Sequence, residues 1–150
     1  MNGVILVVAA ALAVLSGLAA LAGGWAWWRV APSRAFGPLL RAAQVTAVAL
    51  AALAGVAAAL GRRPDDGLFW VYALTPVAVG FVAEQLRVLS AETVLDARDI
   101  PNAQALGERP EAEQRAVALA IIRRETGIMA LACVVICFLA LRAIGTAGGL

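Results

Sequence analysis

The stretch VILVVAAALAVLSGLAALAGGWAWW, residues 4–28, carries no ionisable side chain. A bilayer core about 30 Å thick is crossed by roughly 20 apolar residues of helix at a rise of about 1.5 Å each, and this run is longer than that. It also exceeds the apolar core of about 7–15 residues typical of a signal peptide and lacks a basic region before it, so it reads as a retained first span. Within lipid every backbone N–H and C=O must find a partner inside the protein, which leaves helices or closed barrels. A long run without alternation is a helix.

Three further stretches, about residues 36–60, 68–89 and 126–143, are long and apolar enough to do the same. The composition agrees: 63% of the 150 residues are hydrophobic and 15% charged, against about 45–50% apolar in an ordinary soluble domain, and the mean hydropathy is +0.88. The expected fold is all-α, a transmembrane four-helix bundle forming one integral membrane domain over residues 1–150, with spans three and four extending into a cytoplasmic helical hairpin over about residues 90–125.

All 12 basic residues are arginines, and the chain has neither Lys nor His. Schiff-base chemistry and any imidazole base, metal ligand or haem ligand are thereby excluded. Codon bias behind an arginine-only basic set points to a GC-rich bacterial source and hence a bacterial plasma membrane. Loops on the cytoplasmic side carry the Arg excess. Arg29 and Arg34 lie in the first link, and Arg98, Arg109, Arg115, Arg123 and Arg124 in the third, whereas GRRPDDG offsets Arg62 and Arg63 with Asp65 and Asp66. The first and third links are therefore expected inside, with both termini outside. Trp25, Trp27 and Trp28 mark one interface, Trp70 and Tyr72 the other.

Small residues recur four apart, Ser16, Ala20 and Gly24 in span one and Ala51, Gly55 and Ala59 in span two, a spacing that lets helices approach closely in lipid. Pro76 removes a helical hydrogen bond within span three and predicts a kink. Beyond Arg87 the positions Val88, Ala91 and Leu95 keep helical spacing, which carries the third helix to about Ala97. Pro101 and Gly107 mark a turn. Pro110 suits a first helical position, and Glu111 with Arg115 forms an i,i+4 pair of favourable polarity, so one long helix is expected from Pro110 to Ala143. Cys133 and Cys137, four apart, match no metal spacing and read as small buried hydrophobes.

Counting residues along the spans gives depth. Glu84 lies roughly 21 Å below Trp70, Arg41 roughly 30 Å from Gly61 and Glu125 roughly 25 Å from Arg142, at about 1.5 Å per residue. All three reach the cytoplasmic boundary. The candidate polar cluster there comprises Arg41 and Gln44 from span two, Glu84, Gln85 and Arg87 from span three, and Arg124 and Glu125 from span four. Arg41 with Gln44, and Glu84 with Arg87, are three apart and share a helix face. Glu84 can accept from Arg41 or Arg124, and Glu125 from Arg87. Such a layer is open to three readings: a small-ligand, proton or headgroup site, arginines reaching lipid phosphates beside solvated glutamates, or ion pairs that fix helix register.

The stretch LLRAAQVTAVALAALAGVAAALGRRPDDGLFWVYALTP, residues 39–76, resembles the second and third helices of one four-helix half of the haem A synthase family. That resemblance implies a helix carrying Gln, a short outer loop and then a helix bearing a haem-ligating His. Phe69 and Trp70 stand where the ligand would fall, so no haem ligand is carried over. The endings AEQLR and RRETG also look like those of small four-span membrane proteins of actinobacteria. No catalytic, cofactor or metal residues are assigned, and no nucleic-acid partner is expected. The leading expectation is a non-enzymatic component that associates with itself or a larger membrane complex in the lipid bilayer. The alternatives are a proton, ion or small-molecule transport component, and an enzyme acting on a lipid or quinone with Glu84 or Glu125 as base.

Overall fold

A computed structural model describes residues 2–148 as helices α1 (Asn2–Arg29), α2 (Phe36–Ala59), α3 (Leu68–Val88), α4 (Ser90–Asp96), α5 (Ala103–Gly107) and α6 (Glu111–Thr146). Four helical stretches are long and apolar enough to cross a membrane: Gly3–Arg29, Phe36–Ala59, Leu68–Asp96 and Glu111–Thr146. The third includes α4 because Leu89, between α3 and α4, keeps right-handed helical geometry. The third rod thus runs to Asp96, one residue short of the sequence-based end.

In the bundle, α1 lies against α2 and α6, and α3 completes the ring by lying against the same two. The order alternates in direction. Gly17 faces Cys137, Gly23 faces Phe36 and Ala130, and Gly127 faces Trp27, so numbers fall along α2 and α6 as they rise along α1. Where the four rods meet, the core is built largely from alanine, with Ile5, Leu12, Leu50, Phe69 and Ile136 filling the wider places. Small side chains let these backbones approach, and in lipid that close packing replaces the drive that water supplies elsewhere. Cys133 is buried and Cys137 half-buried, both as free thiols; the Cys137 thiol donates to the Ala13 carbonyl at 3.3 Å.

The small-residue face differs from the one expected. Gly23 rather than Gly24 meets neighbouring helices, since a Cβ on Gly24 or on Gly55 has nothing within 4 Å. In α2 the buried stripe is Ala43, Ala47, Leu50, Ala54 and Ala57. Ser16 is buried as expected, its hydroxyl bonded back to the Leu12 carbonyl. Alanine and glycine fill so many positions that several stripes satisfy the same spacing, and only the neighbours select among them.

Three helices end in the same way. At the ends of α1, α2 and α4 an N–H bonds five residues back (Ala31 to Ala26, Arg62 to Ala57, Ile100 to Leu95) beside a second bond three residues back (Val30 to Trp27, Gly61 to Ala58, Asp99 to Asp96). This is the Schellman arrangement, which requires one left-handed residue. Gly61 takes that role at φ 73°, Asp99 at φ 54° and Val30 at φ 50°. A β-branched residue is strained there. Val30→Gly is expected to raise the melting temperature by about 2–4 °C, since relief of a left-handed β-branched residue is worth about 1 kcal/mol; an unchanged or lower value in thermal denaturation in detergent would contradict the strain.

Helix α6 begins one residue later than expected, with Pro110 as its extended N-cap (φ −54°, ψ 143°), and runs 36 residues, roughly 54 Å at 1.5 Å each. Its first turns extend beyond the charged layer and pack against α4. Val94, Ile100 and Val117 form a small separate core there, supported by Leu95, Leu106 and Ile121. Ile100 enters it because the Schellman turn directs the chain back over Leu95. The expected Glu111 to Arg115 pair is replaced by Arg109 to Glu113 at 3.0 Å, which spans the turn into the helix. Helix α5, not anticipated from sequence, is capped by Asn102, whose side chain accepts from the Ala105 N–H at 2.8 Å.

Candidate functional site

The antiparallel order brings α2, α3 and α6 together at the end bearing Arg29 and the third link. One turn of α2 places Arg41 and Gln44 on the same face, and the Arg41 guanidinium donates to Gln44 Oε1 at 2.8 Å. Both side chains then turn to α3, where Glu84 Oε1 accepts from Arg41 Nη1 at 3.1 Å and from Gln44 Nε2 at 2.9 Å. The other oxygen, Oε2, receives Arg87 Nη1 at 3.4 Å from the next turn of the same helix. Arg87 Nε in turn lies 3.6 Å from Glu125 Oε2 on α6. An unbroken polar chain of five side chains thus ties three helices at one level.

Glu84 is its hub. Its side chain is 27% exposed against 64% for Arg41, so the carboxylate sits inward and the arginine reaches it from the rim. Charge-assisted bonds of 2.8–3.1 Å are stronger than neutral ones, whereas a 3.6 Å separation is an ion pair without a good hydrogen bond. The link through Glu84 to α2 is therefore tight, and the link to α6 looser.

Of the seven residues singled out from sequence, Arg41, Gln44, Glu84, Arg87 and Glu125 are brought together. Gln85 and Arg124 are not. Each is the immediate neighbour of a cluster member, about 100° round the helix, and each is exposed with no side-chain partner among the described residues. Arg41, not Arg124, is the partner of Glu84. Arg123 instead stacks over the Trp27 ring at 5.0 Å, and Trp27 itself rests on Gly127, where a Cβ would come within 3.0 Å of the indole.

Two cavities adjoin the ion-pair chain and share Arg41. One of about 280 Å³ lies between α2, α3 and α6 and includes Arg87, Glu125 and Thr126, with Phe36, Leu40 and Met129 as apolar wall. Thr126 and this wall were not chosen from sequence; apolar residues in an apolar span carry no mark of lining a cavity, and Thr126 was signalled only by following Glu125. The second, about 240 Å³, runs from Gln44 and Glu84 along Pro76, Gly80 and Phe81. Proline has no N–H to give the Tyr72 carbonyl one turn back, and Gly80 has no side chain, so α3 is thin on this side. α3 nonetheless continues through Pro76, which is buried.

At the opposite end the Asp65 N–H donates to the Gly148 carbonyl at 2.8 Å, and Arg142 stacks over Tyr72 at 5.5 Å. Among the described residues no group of three or more His, Cys, Asp or Glu is placed to hold a metal ion. No protein-family model matches the chain, and neither the curated proteins nor the solved structures contain a match to it.

Proposed function

We propose that this chain is a non-enzymatic assembly component of a bacterial plasma membrane, associating with itself or with a larger membrane complex through a cytoplasmic helical hairpin. The observation that carries the reading is the separate core of Val94, Ile100 and Val117. A four-span bundle needs only a short link between its last two spans. Here the link instead carries apolar residues of its own, which pack α4 against the first turns of α6 as a projection beyond the apolar spans. A packed projection presents its surface to a partner at lower ordering entropy than a flexible loop.

The charged layer fits a structural part in the same scheme. Each glutamate of the cluster faces an arginine, and the chain from Arg41 to Glu125 fixes the register of three helices. The orientation is supported by nine arginines, Arg29, Arg34, Arg41, Arg87, Arg98, Arg109, Arg115, Arg123 and Arg124, at the end of the projection, against Arg62, Arg63 and Arg142 at the other. That end faces the cytoplasm, with both termini outside.

Affinity purification of a tagged full-length chain from native membranes, followed by size exclusion with light scattering, tests the assembly. The expected result is a mass above one chain, or a stoichiometric partner, reduced by the paired charge reversals Arg98→Glu and Arg115→Glu on the projection. A clean monomer without a partner would overturn the reading. A second reading, transport, is favoured by one observation: the two cavities share Arg41, and Glu84 lines one of them.

A further inference from the structure

The cavity of about 280 Å³ at the charged end differs in one respect from the ion-pair chain beside it: its donors are not all used. Arg41 directs only Nη1 to Gln44 and Glu84, and its Nε and Nη2 have no protein partner among the described residues. Arg87 commits Nη1 to Glu84 and Nε to Glu125, which leaves its Nη2. Thr126 adds a hydroxyl. Ser16, Thr46, Ser90, Thr93 and Thr146 all turn their hydroxyls back to a helical carbonyl. Thr126, like Thr75, makes no such bond, and it lines the cavity between Glu125 and Met129.

Donors from α2, α3 and α6 therefore line one space whose apolar wall is Phe36, Leu40 and Met129, the last two of them buried. Guanidinium groups match oxyanions in fork geometry. Donors approaching from three helices suit a tetrahedral group with three or more acceptor oxygens better than a planar carboxylate with two. The volume stands just below the roughly 300–1,000 Å³ of ordinary ligand pockets, enough for a headgroup and the first carbons beyond it.

We propose that this cavity binds the phosphate group of an anionic amphiphile, with Arg41, Arg87 and Thr126 donating to the phosphate oxygens and Leu40 and Met129 receiving the start of the apolar body. Glu125 also lines the cavity, and its charge is offset by Arg87, whose Nε lies 3.6 Å from Oε2. With Glu84 included the four charges balance, so selection comes from the directed N–H and O–H groups rather than from a net field. The site is independent of whether the projection binds a partner: it is read by a different measurement and by different residues.

The test is isothermal titration of the full-length chain in non-ionic detergent with three probes: dihexanoyl phosphatidic acid, inorganic phosphate and dihexanoylglycerol. The expected result is one phosphatidic acid per chain and no binding of dihexanoylglycerol. Arg41→Gln should weaken the phosphate probes by about tenfold or more, as loss of a charged donor does, and Thr126→Val by about threefold to fivefold, as loss of a neutral one does. Arg41→Gln leaves the Gln44 to Glu84 bond in place, and Thr126→Val preserves shape outside the ion-pair chain, so both variants are expected to elute as the parent does. Phosphatidic acid binding far tighter than inorganic phosphate supports the amphiphile; equal affinities identify free phosphate as the ligand and overturn the part given to Leu40 and Met129. Equal binding of dihexanoylglycerol, unchanged affinity in both variants, or no binding of either phosphate probe would overturn the site.

Discussion

Glu84→Ala is expected to lower the melting temperature of the detergent-solubilised chain by about 4–8 °C, the shift that a loss of about 2 kcal/mol produces at this size. Alanine removes the acceptor on which Arg41, Gln44 and Arg87 converge. The Gln44 amide is then left half-buried without its acceptor, and Arg87 keeps only the 3.6 Å contact to Glu125. An unpaired charge costs at least about 2.5–3.5 kcal/mol at the bilayer centre and less toward its edge, so Arg87 would withdraw toward water and loosen α3 from α6. Glu84→Gln should produce roughly half the shift. Its amide oxygen can still accept from Arg41 and Gln44, but its NH₂ would face the Arg87 guanidinium, donor against donor. The comparison also separates the two readings of the charged layer. If both variants melt with the parent while proton or ion flux in reconstituted vesicles collapses, the layer is a transport element and not a structural one.

Gly23→Val is expected to have the larger effect, about 4–12 °C, corresponding to about 2–3 kcal/mol of overpacking. The added Cβ would stand 2.6 Å from Phe36 Cε2 and 2.9 Å from Ala130 Cβ. The phenylalanine ring is the flexible partner and can swing away, at the cost of changing the wall of the cavity of about 280 Å³ that it lines. The alanine methyl is fixed to the α6 backbone and can move only with the helix, so α1 and α6 must separate along their longest contact. Gly24→Val is the matched control: no atom lies within 4 Å of that Cβ, and a surface exchange of this kind stays within about 0.5 kcal/mol. Equal melting shifts for the two, followed by tryptophan fluorescence, would show that α1 does not pack as described.

This pair also marks where reading the sequence stops. Ser16, Ala20 and Gly24 satisfy a small-residue spacing as well as the stripe through Gly23 does. A helix face is chosen by what stands opposite, and Phe36 and Ala130 lie 13 and 107 positions further along the chain. In a soluble helix, polar residues on the outer face would have broken the tie. In a span the outer face is as apolar as the inner one, and that contrast is lost.

The charged layer was more legible, for the opposite reason. An ionisable side chain in an apolar run is conspicuous, and depth follows from counting at a fixed rise per residue, so Arg41, Glu84 and Glu125 could be set at one level before any contact was known. Level alone does not give azimuth between helices. Gln85 and Arg124 share the level of the cluster but point away from it, while Thr126, which the same count places there, lines the cavity.

What the sequence alone determined is the set of long helices, the number that can cross a membrane and the common level of Arg41, Glu84 and Glu125, because hydropathy, helical rise and backbone satisfaction in lipid are local properties of a chain. Only the tertiary structure decided which glycine touches a neighbour, which arginine meets Glu84 and where donors remain free around a cavity. Those depend on the rotation of each helix about its own axis, and in a span with so little polar contrast that rotation is set by packing against the other helices.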